Sequence, residues 1–280
     1  MSSKFIEYFK NKASKKDIAQ KEKELLSKIE EAFVNQEFKM YLQFIVDSNN
    51  KITSAEALSR WENGKGEIVS PVVYIGLMEK SGFITKLDYY MFEKVCQKLA
   101  AWKGTEFDHL TISCNLTRIT ISEENFIDKI KKIADKYDFC RKNLLIEITE
   151  DSTERNIKTA TENVSKVKEL GFRVALDDVG RGYTSLMCLC EYPVDVVKVD
   201  RDILLLAKDE RGRKLLFGII RLAHYLNLEV VCEGVETEEQ NSMVLEGGCD
   251  YIQGWYYSKA LSEQKAEEFA KEYMSKCQAE

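Results

Sequence analysis

The stretch RVALDDVGRGYTSL, residues 173–186, decides the fold, because an apolar run ends there in two adjacent carboxylates and a loop with two glycines. Such a run, bounded by turn residues, predicts a buried strand. Neighbouring strand residues point to opposite faces, so Asp177 and Asp178 can both reach one site only if the strand ends there. Gly180 and Gly182 let the backbone bend sharply beside that site. The sequence therefore predicts a buried strand whose carboxyl end carries a cluster of negative charge.

Similar strand-like runs recur along the chain and alternate with segments of helical apolar spacing. The predicted strands are KMYLQFIV (39–46), ITSAEAL (52–58), LTISCNL (110–116), NLLIEIT (143–149), FRVALDD (172–178), DVVKVD (195–200), LEVVCEGV (228–235) and DYIQGW (250–255). The clearest predicted helices are residues 88–102, 123–137, 156–171 and 214–227. Eight strand-plus-helix units in about 240 residues predict an α/β fold, a (β/α)8 TIM-type barrel with one irregular or antiparallel strand at the start. A doubly wound sheet is the alternative.

Polar side chains at or near the strand ends favour the barrel, because the ends of parallel barrel strands converge on one face. These side chains are Glu56, Asn115, Glu147, Glu150, Asp177, Asp178, Lys198, Asp200, Glu233, Glu236 and Gln253. So many carboxylates would repel one another unless cations lay among them. Carboxylates with an amide suit Mg²⁺ or Mn²⁺, whereas Zn²⁺ would favour His or Cys. Only His109 and His224 occur, and neither ends a strand.

Composition narrows the class of protein. With 280 residues and 44% hydrophobic content, the chain can bury a substantial core. Its net charge of -6 argues against a general surface for DNA or RNA polymers. The eight cysteines are scattered, with no C-x-x-C, and no apolar secretory segment or 18-residue apolar stretch is present. We therefore expect a cytoplasmic protein with reduced thiols and no transmembrane segment.

The start of the chain differs from the rest, because residues 1–36 are rich in charge and carry apolar residues at near-helical spacing. We expect residues 1–36 to form an N-terminal helical or linker segment. The barrel domain is then expected to occupy residues 37–280.

Several motifs, in order along residues 37–272, resemble the signatures of EAL-domain cyclic di-GMP phosphodiesterases. EALSRW (56–61) resembles the EAL signature, SCNLT (113–117) the asparagine motif, and IEITED (146–151) the E-x-T-E motif. DDVGRGYTSL (177–186), YPVDVVKVDR (192–201), CEGVETEEQ (232–240) and QGWYYSKAL (253–261) follow in the family's order. The triplet EAL alone would be weak evidence, but seven motifs in the family's order make the resemblance specific.

The resemblance implies a barrel enzyme that hydrolyses cyclic di-GMP to a linear dinucleotide with two Mg²⁺ or Mn²⁺ ions. By resemblance, the metal ligands are Glu56, Asn115, Glu147, Asp177, Asp178 and Glu233. Glu233, Lys198 and Glu56 would carry catalysis, with Glu233 as a ligand or the base that helps to deprotonate the attacking water. Gln43, Arg60, Gln253 and Glu236 would contact or orient the substrate. Asp200 would lie behind the site, and Glu150 would anchor the loop after Asp178.

Four positions depart from the family's pattern. Phe44 replaces a proline after Gln43, Val179 and Arg181 replace Phe and Thr, and Ala260 stands where proline is common. The ligand set is intact, so we expect an active enzyme. A cyclic di-GMP receptor with little turnover remains an alternative, as does an enolase-type barrel lyase. The resemblance also implies a homodimer formed through residues 180–215.

Overall fold

The computed structural model describes residues 15–149, 157–180 and 188–277. Its strands are β1 (Phe38–Asp47), β2 (Ile52–Glu62), β3 (Ile68–Val69), β4 (Thr111–Leu116), β5 (Leu144–Thr149), β6 (Arg173–Val179), β7 (Val196–Val199), β8 (Glu229–Cys232), β9 (Tyr251–Gln253) and β10 (Leu261–Ser262). Its α-helices are α1 (Lys15–Val34), α2 (Pro71–Ser81), α3 (Ile84–Trp102), α4 (Arg118–Ile121), α5 (Phe126–Ala134), α6 (Ile157–Glu169), α7 (Cys188–Glu191), α8 (Arg201–Leu206), α9 (Glu210–Tyr225), α10 (Glu238–Glu246) and α11 (Glu263–Cys277). A 3₁₀ turn at Arg141–Asn143 precedes β5.

Eight of the strands close into a barrel. The strand order β1-β9-β8-β7-β6-β5-β4-β2 is completed by pairing between β1 and β2. β2 and β4 to β9 pair in parallel, whereas β1 is antiparallel to both of its barrel neighbours. The two-residue strands β3 and β10 extend the pairing of β2 and β1. The prediction of a (β/α)8 barrel with an antiparallel first strand is confirmed.

The two-residue alternation of strands separates an apolar layer from a polar layer inside the barrel. The apolar layer, called here the floor layer, consists of Ile45, Leu145, Ala175, Val196 and Val231, with Tyr251 packed against it. Two residues farther along the parallel chain segments come Glu147, Asp177, Lys198, Glu233 and Gln253. In β1 the order is reversed, so that Gln43 precedes Ile45. Each of these segments therefore contributes one group to the floor layer and one to the barrel end above it, called here the mouth.

The main core lies between the outer face of the barrel and the surrounding helices. Ile29 and Ala32 of α1 are fully buried in this core, so the second half of α1 packs with the barrel. Phe44 points outward and stacks on Phe269 of α11, with ring centroids 5.7 Å apart. The departure from proline at this position is thus accommodated on the helix side of β1. The division into residues 1–36 and 37–280 stays a prediction.

Helix boundaries differ slightly from those expected. α9 begins at Glu210 rather than 214, because the Asp209 side chain caps it by accepting a hydrogen bond from Gly212 N. α2 was not predicted, and it starts with Pro71 at its first position. Among the described residues, no helix is both long and apolar enough to cross a membrane.

Candidate active site

Lys198 is the centre of the mouth. Its Nζ lies 2.6 Å from Glu233 Oε1 and 2.8 Å from Glu147 Oε2. The same Nζ lies 3.4 Å from Glu56 Oε2 and 3.5 Å from Asp177 Oδ1. The Lys198 side chain is 1% exposed. Carboxylates from four segments that are far apart in the sequence therefore converge on one buried ammonium group; Glu56 lies within β2 rather than at its end, because β2 continues to Glu62.

Glu56 is oriented by two amide side chains. Asn115 Nδ2 donates to Glu56 Oε1 at 2.8 Å, and Gln253 Nε2 donates to Oε2 at 2.6 Å. Asn115 comes from β4, a neighbour of β2, while Gln253 comes from β9, which is separated from β2 by β1. These bonds hold the Glu56 carboxylate toward Lys198 and leave the amide oxygens available to other groups.

The end of β6 turns so that both aspartates face the mouth. Asp178 adopts a left-handed conformation with φ of 58°, which Asp tolerates better than most residues. Gly180 follows with φ of 94°, and a Cβ there would lie 2.4 Å from Ile203 of α8. Ligand atoms of Asp177, Asp178 and Glu233 lie within 4.8 Å of one another and could hold a metal ion. The turn thus brings the side chains of two adjacent residues to the same site.

The pKa shifts of the buried groups indicate that the site holds more negative charge than one lysine can balance. Burial raises the pKa of Glu147 to about 8, although the charge of Lys198 offsets part of this shift. Burial also raises the pKa values of Asp177 and Glu233, again against the effect of Lys198. Burial would raise the pKa of Glu56 too, but Lys198 and the two amides lower it below its ordinary value. Burial disfavours the Lys198 charge, but the four carboxylates raise its pKa well above the usual range.

The donor set fits divalent cations. Glu147 Oε1 and Gln253 Oε1 are buried acceptors without a hydrogen-bond donor among the described residues. Glu56, Glu147, Asp177 and Glu233 surround one ammonium group, Asp178 lies close to Asp177 and Glu233, and two divalent cations would balance the excess charge. Oxygen ligands of this kind are those that Mg²⁺ and Mn²⁺ prefer. The residues present therefore fit the predicted metals.

Two predicted substrate contacts lie on the β1–β2 hairpin beside the mouth. Gln43 is paired with Glu56 in the strand register, and its Nε2 donates to Ser258 O at 3.0 Å. Arg60 lies farther along β2, with its guanidinium 5.9 Å from the Tyr41 ring centroid. Strand alternation places both side chains on the same face of the hairpin as Glu56.

Asp200 and Glu236 lie around the mouth without joining the cluster at Lys198. Asp200 caps α8, since its Oδ1 accepts a hydrogen bond from Asp202 N at 2.7 Å. Glu236 Oε1 lies 2.7 Å from Arg201 Nη1. Both therefore fix the segments that follow β7 and β8. Glu150 and Arg181 lie outside the described residues.

Sequence reasoning missed two groups near the site. Ser113 is 1% exposed, lies beside Glu56 in the strand register, and has a buried hydroxyl without a hydrogen-bond partner among the described residues. Its position two residues before Asn115 could have placed it on the inner face of β4. Tyr41 was also missed, although it precedes Gln43 by two residues and donates to Glu62 Oε1 at 2.8 Å.

Comparisons with known proteins agree with this geometry. The EAL domain family matches residues 26–260. Signaling protein YkoW of Bacillus subtilis is 30% identical over 86% of this chain and 30% of its own length. Cyclic di-GMP phosphodiesterase NbdA of Pseudomonas aeruginosa is 28% identical over 91% of this chain and 33% of its own length. The chain thus spans about a third of the length of these curated relatives.

A solved structure described as "PaMucR Phosphodiesterase, c-di-GMP complex" matches with a TM-score of 0.81 at 25% identity. The match covers 87% of this chain and 99% of that one. Sequence, fold and the convergence of motif residues on one buried lysine thus lead to the same assignment, and the chain belongs to the EAL domain family.

Proposed function

We propose that this chain is a metal-dependent phosphodiesterase that hydrolyses one phosphodiester bond of cyclic di-GMP to give linear 5'-pGpG. The observation that carries this proposal is the cluster of five carboxylates and one ammonium group at the mouth. The names of relatives such as NbdA support the choice of substrate.

Two Mg²⁺ or Mn²⁺ ions would complete the site. Their ligands would be Glu56, Asn115, Glu147, Asp177, Asp178 and Glu233. When bound, such ions activate a water molecule and stabilise the attacking and leaving oxygens of an in-line displacement. The unpartnered Glu147 Oε1 and the closely spaced oxygens of Asp177, Asp178 and Glu233 support this assignment.

The protein's own residues would handle the proton and the phosphate charge. Glu233 is a metal ligand or the base in this proposal, and as the base it would accept a proton from the attacking water while Lys198 Nζ, 2.6 Å from its Oε1, holds the carboxylate in place. Lys198 contacts Glu233 directly and keeps its proton, so it presents a permanent positive charge to the phosphate oxygens. Asn115 and Gln253 keep Glu56 in place.

The remaining predicted residues would bind and orient the dinucleotide. Gln43 and Arg60 lie on the same hairpin face as Glu56, where they can donate to the substrate. The amide oxygen of Gln253 has no hydrogen-bond partner among the described residues, so it is available to the substrate. Glu236 would act through Arg201, whose guanidinium it holds at the rim.

The direct test is turnover of cyclic di-GMP by the purified protein with MgCl₂ or MnCl₂, followed by anion-exchange chromatography. We expect pGpG to accumulate and EDTA to stop its formation. Glu56→Gln should abolish turnover, while Glu124→Gln makes the same change on an exposed glutamate and should leave turnover intact. Tight binding without product would overturn hydrolysis and support the receptor alternative. A result with no binding and no product would overturn both the hydrolase proposal and the receptor alternative.

We also propose a homodimer through residues 180–215. Leu206 of α8 is 58% exposed and Leu215 of α9 is 47% exposed, which supports an apolar contact in this region. Sedimentation should show a dimer, and Leu206→Glu should weaken it. A monomer at high protein concentration would refute the proposal.

A further inference from the structure

An exposed aromatic pair follows β9. Trp255 is 61% exposed and Tyr256 is 41% exposed. The other two tryptophans of the chain, Trp61 and Trp102, are 5% and 2% exposed. Leaving the largest apolar side chain in water sacrifices the stabilisation that its burial would provide. The exposure of Trp255 leaves its indole accessible to a ligand.

The turn that carries Trp255 is held at both ends by hydrogen bonds. Tyr256 N donates to Val235 O at 3.0 Å, and Ser258 N donates to Gly254 O at 3.0 Å. A Cβ on Gly254 would lie 1.9 Å from Val235 O, so this close approach requires glycine. Gln43 Nε2 fixes the far end through Ser258 O. The indole is thus presented by a defined backbone.

Trp255 lies at the rim of the candidate active site. Gln253, two residues earlier, contacts Glu56 inside the mouth at 2.6 Å. Two residues span at most about 7 Å, so the Trp255 backbone lies within that distance of the Gln253 backbone, whose side chain reaches the carboxylate cluster. Val235, which anchors the turn, follows Glu233 by two residues. A ligand with its phosphate at the carboxylates would therefore place an attached base near this indole.

A cation accompanies the indole. Lys259 Nζ lies over the Trp255 ring, 5.4 Å from its centroid. Such a contact orients the ring and covers one of its faces. The other face is then the one on which a planar group can stack. A flat aromatic surface beside a phosphate site is the arrangement with which proteins hold nucleobases, because every base offers a π-face.

We propose that Trp255 is a stacking platform for one guanine base of cyclic di-GMP, with Lys259 as the residue that fixes the orientation of the indole. The identity of the ligand rests on the proposed function. The platform itself rests on the exposure, the anchored turn and the position of Trp255. Base stacking on an aromatic side chain contributes about 10- to 100-fold to affinity.

Tryptophan fluorescence tests the platform without requiring hydrolysis, because Trp255 is the exposed tryptophan of the three. Acrylamide quenching is measured with MgCl₂ while linear pGpG, which carries the same bases, is added. We expect pGpG to protect the fluorescence from acrylamide. In Trp255→Phe this ligand-dependent protection should disappear. Unchanged quenching of the wild type at saturating pGpG would overturn the platform, whatever the result of the hydrolysis assay.

Kinetics provide the second test. Trp255→Ala should raise KM for cyclic di-GMP about 10-fold or more, with kcat much less affected, and Trp255→Phe should restore most of the loss. Tyr225→Ala is the matched control, since Tyr225 is an 85% exposed aromatic residue at the end of α9. An unchanged KM in Trp255→Ala would contradict the proposal. If circular dichroism shows that Trp255→Ala is unfolded, Trp255→Phe and the quenching experiment decide.

Discussion

Asp88 and Glu147 are both buried carboxylic acids, but their surroundings differ. Asp88 of α3 accepts hydrogen bonds on Oδ2 from Thr117 N at 2.9 Å, Thr117 Oγ1 at 2.7 Å and Thr120 Oγ1 at 2.5 Å. Glu147 contacts Lys198 through Oε2, while its Oε1 has no hydrogen-bond donor among the described residues. Burial raises both pKa values, so burial alone does not identify a functional acid. The difference is that Asp88 accepts three hydrogen bonds from residues at the start of α4, whereas one oxygen of Glu147 has no donor among the described residues.

The largest effect expected from this contrast is on catalysis. Glu147→Gln keeps the size of the side chain but removes one charged metal ligand, so the kcat for cyclic di-GMP should fall on the order of 1,000-fold. The free energy of unfolding without metal should change little at pH 7, because burial raises the pKa of Glu147 to about 8 and glutamine then replaces a largely uncharged carboxyl of the same size. Turnover assays and urea denaturation in EDTA measure the two quantities.

Asp88→Asn is the matched control for this prediction. The amide oxygen of asparagine can accept the same hydrogen bonds from Thr117 and Thr120, and Asp88 does not line the mouth. Turnover should therefore stay close to that of the wild type. If both variants lost activity equally, a satisfied and an unsatisfied acid would be equally important to function, and the comparison would fail.

Strand periodicity and turn chemistry explain how much of the mouth could be predicted. The predicted strands 143–149 and 172–178, which carry Glu147 and Asp177, are short, apolar and bounded by turn residues, which is enough to place these carboxylates at one barrel end. The turn at Asp178 could also be anticipated, because two adjacent strand residues share a site only where the strand ends. The predicted antiparallel first strand is confirmed by the register between Gln43 and Glu56.

Other features depend on contacts between residues far apart in the sequence. The family resemblance assigned Lys198 to catalysis, but its contacts with four carboxylates exist only after the barrel has closed. Asp88 lies in a predicted helix and carries no motif, so its role as an acceptor for the turn at Thr117 could not be read locally. The exposure of Trp255 depends likewise on how the turn after β9 packs against Val235.

The second prediction concerns pH. Burial raises the pKa of Asp88 to about 6 from an ordinary value of 3.8, although the three hydrogen bonds oppose this shift. The folded state therefore keeps a proton that the unfolded chain has already released, and the stability from this proton is present below about pH 4. This stabilisation is lost as the pH rises through about 6. Its full size, from the pKa difference between the unfolded and the folded chain, is about 3 kcal/mol in the free energy of unfolding.

Asp88→Asn isolates this contribution from those of the other acids. The free energy of unfolding of Asp88→Asn minus that of the wild type should increase by about 2 kcal/mol between pH 4 and pH 7, because part of the full effect lies below pH 4. Urea denaturation at several pH values measures it. A difference that does not change with pH would show that Asp88 titrates alike in the folded and unfolded chain.

The smallest effect is expected from one of the hydrogen bonds that distinguish Asp88 from Glu147. Thr120→Val removes the hydroxyl that donates to Asp88 Oδ2 while keeping the shape of the side chain. A hydrogen bond to a charged group contributes more than one to a neutral group, so the loss should be about 2 kcal/mol at pH 7.5 and about 1 kcal/mol at pH 4. In the Asp88→Asn background, where the acceptor is neutral at both pH values, the loss should be about 1 kcal/mol at each. Equal losses at both pH values in the wild-type background would mean that this bond does not stabilise the ionised carboxylate, and that Asp88 resembles Glu147 more closely than its contacts indicate.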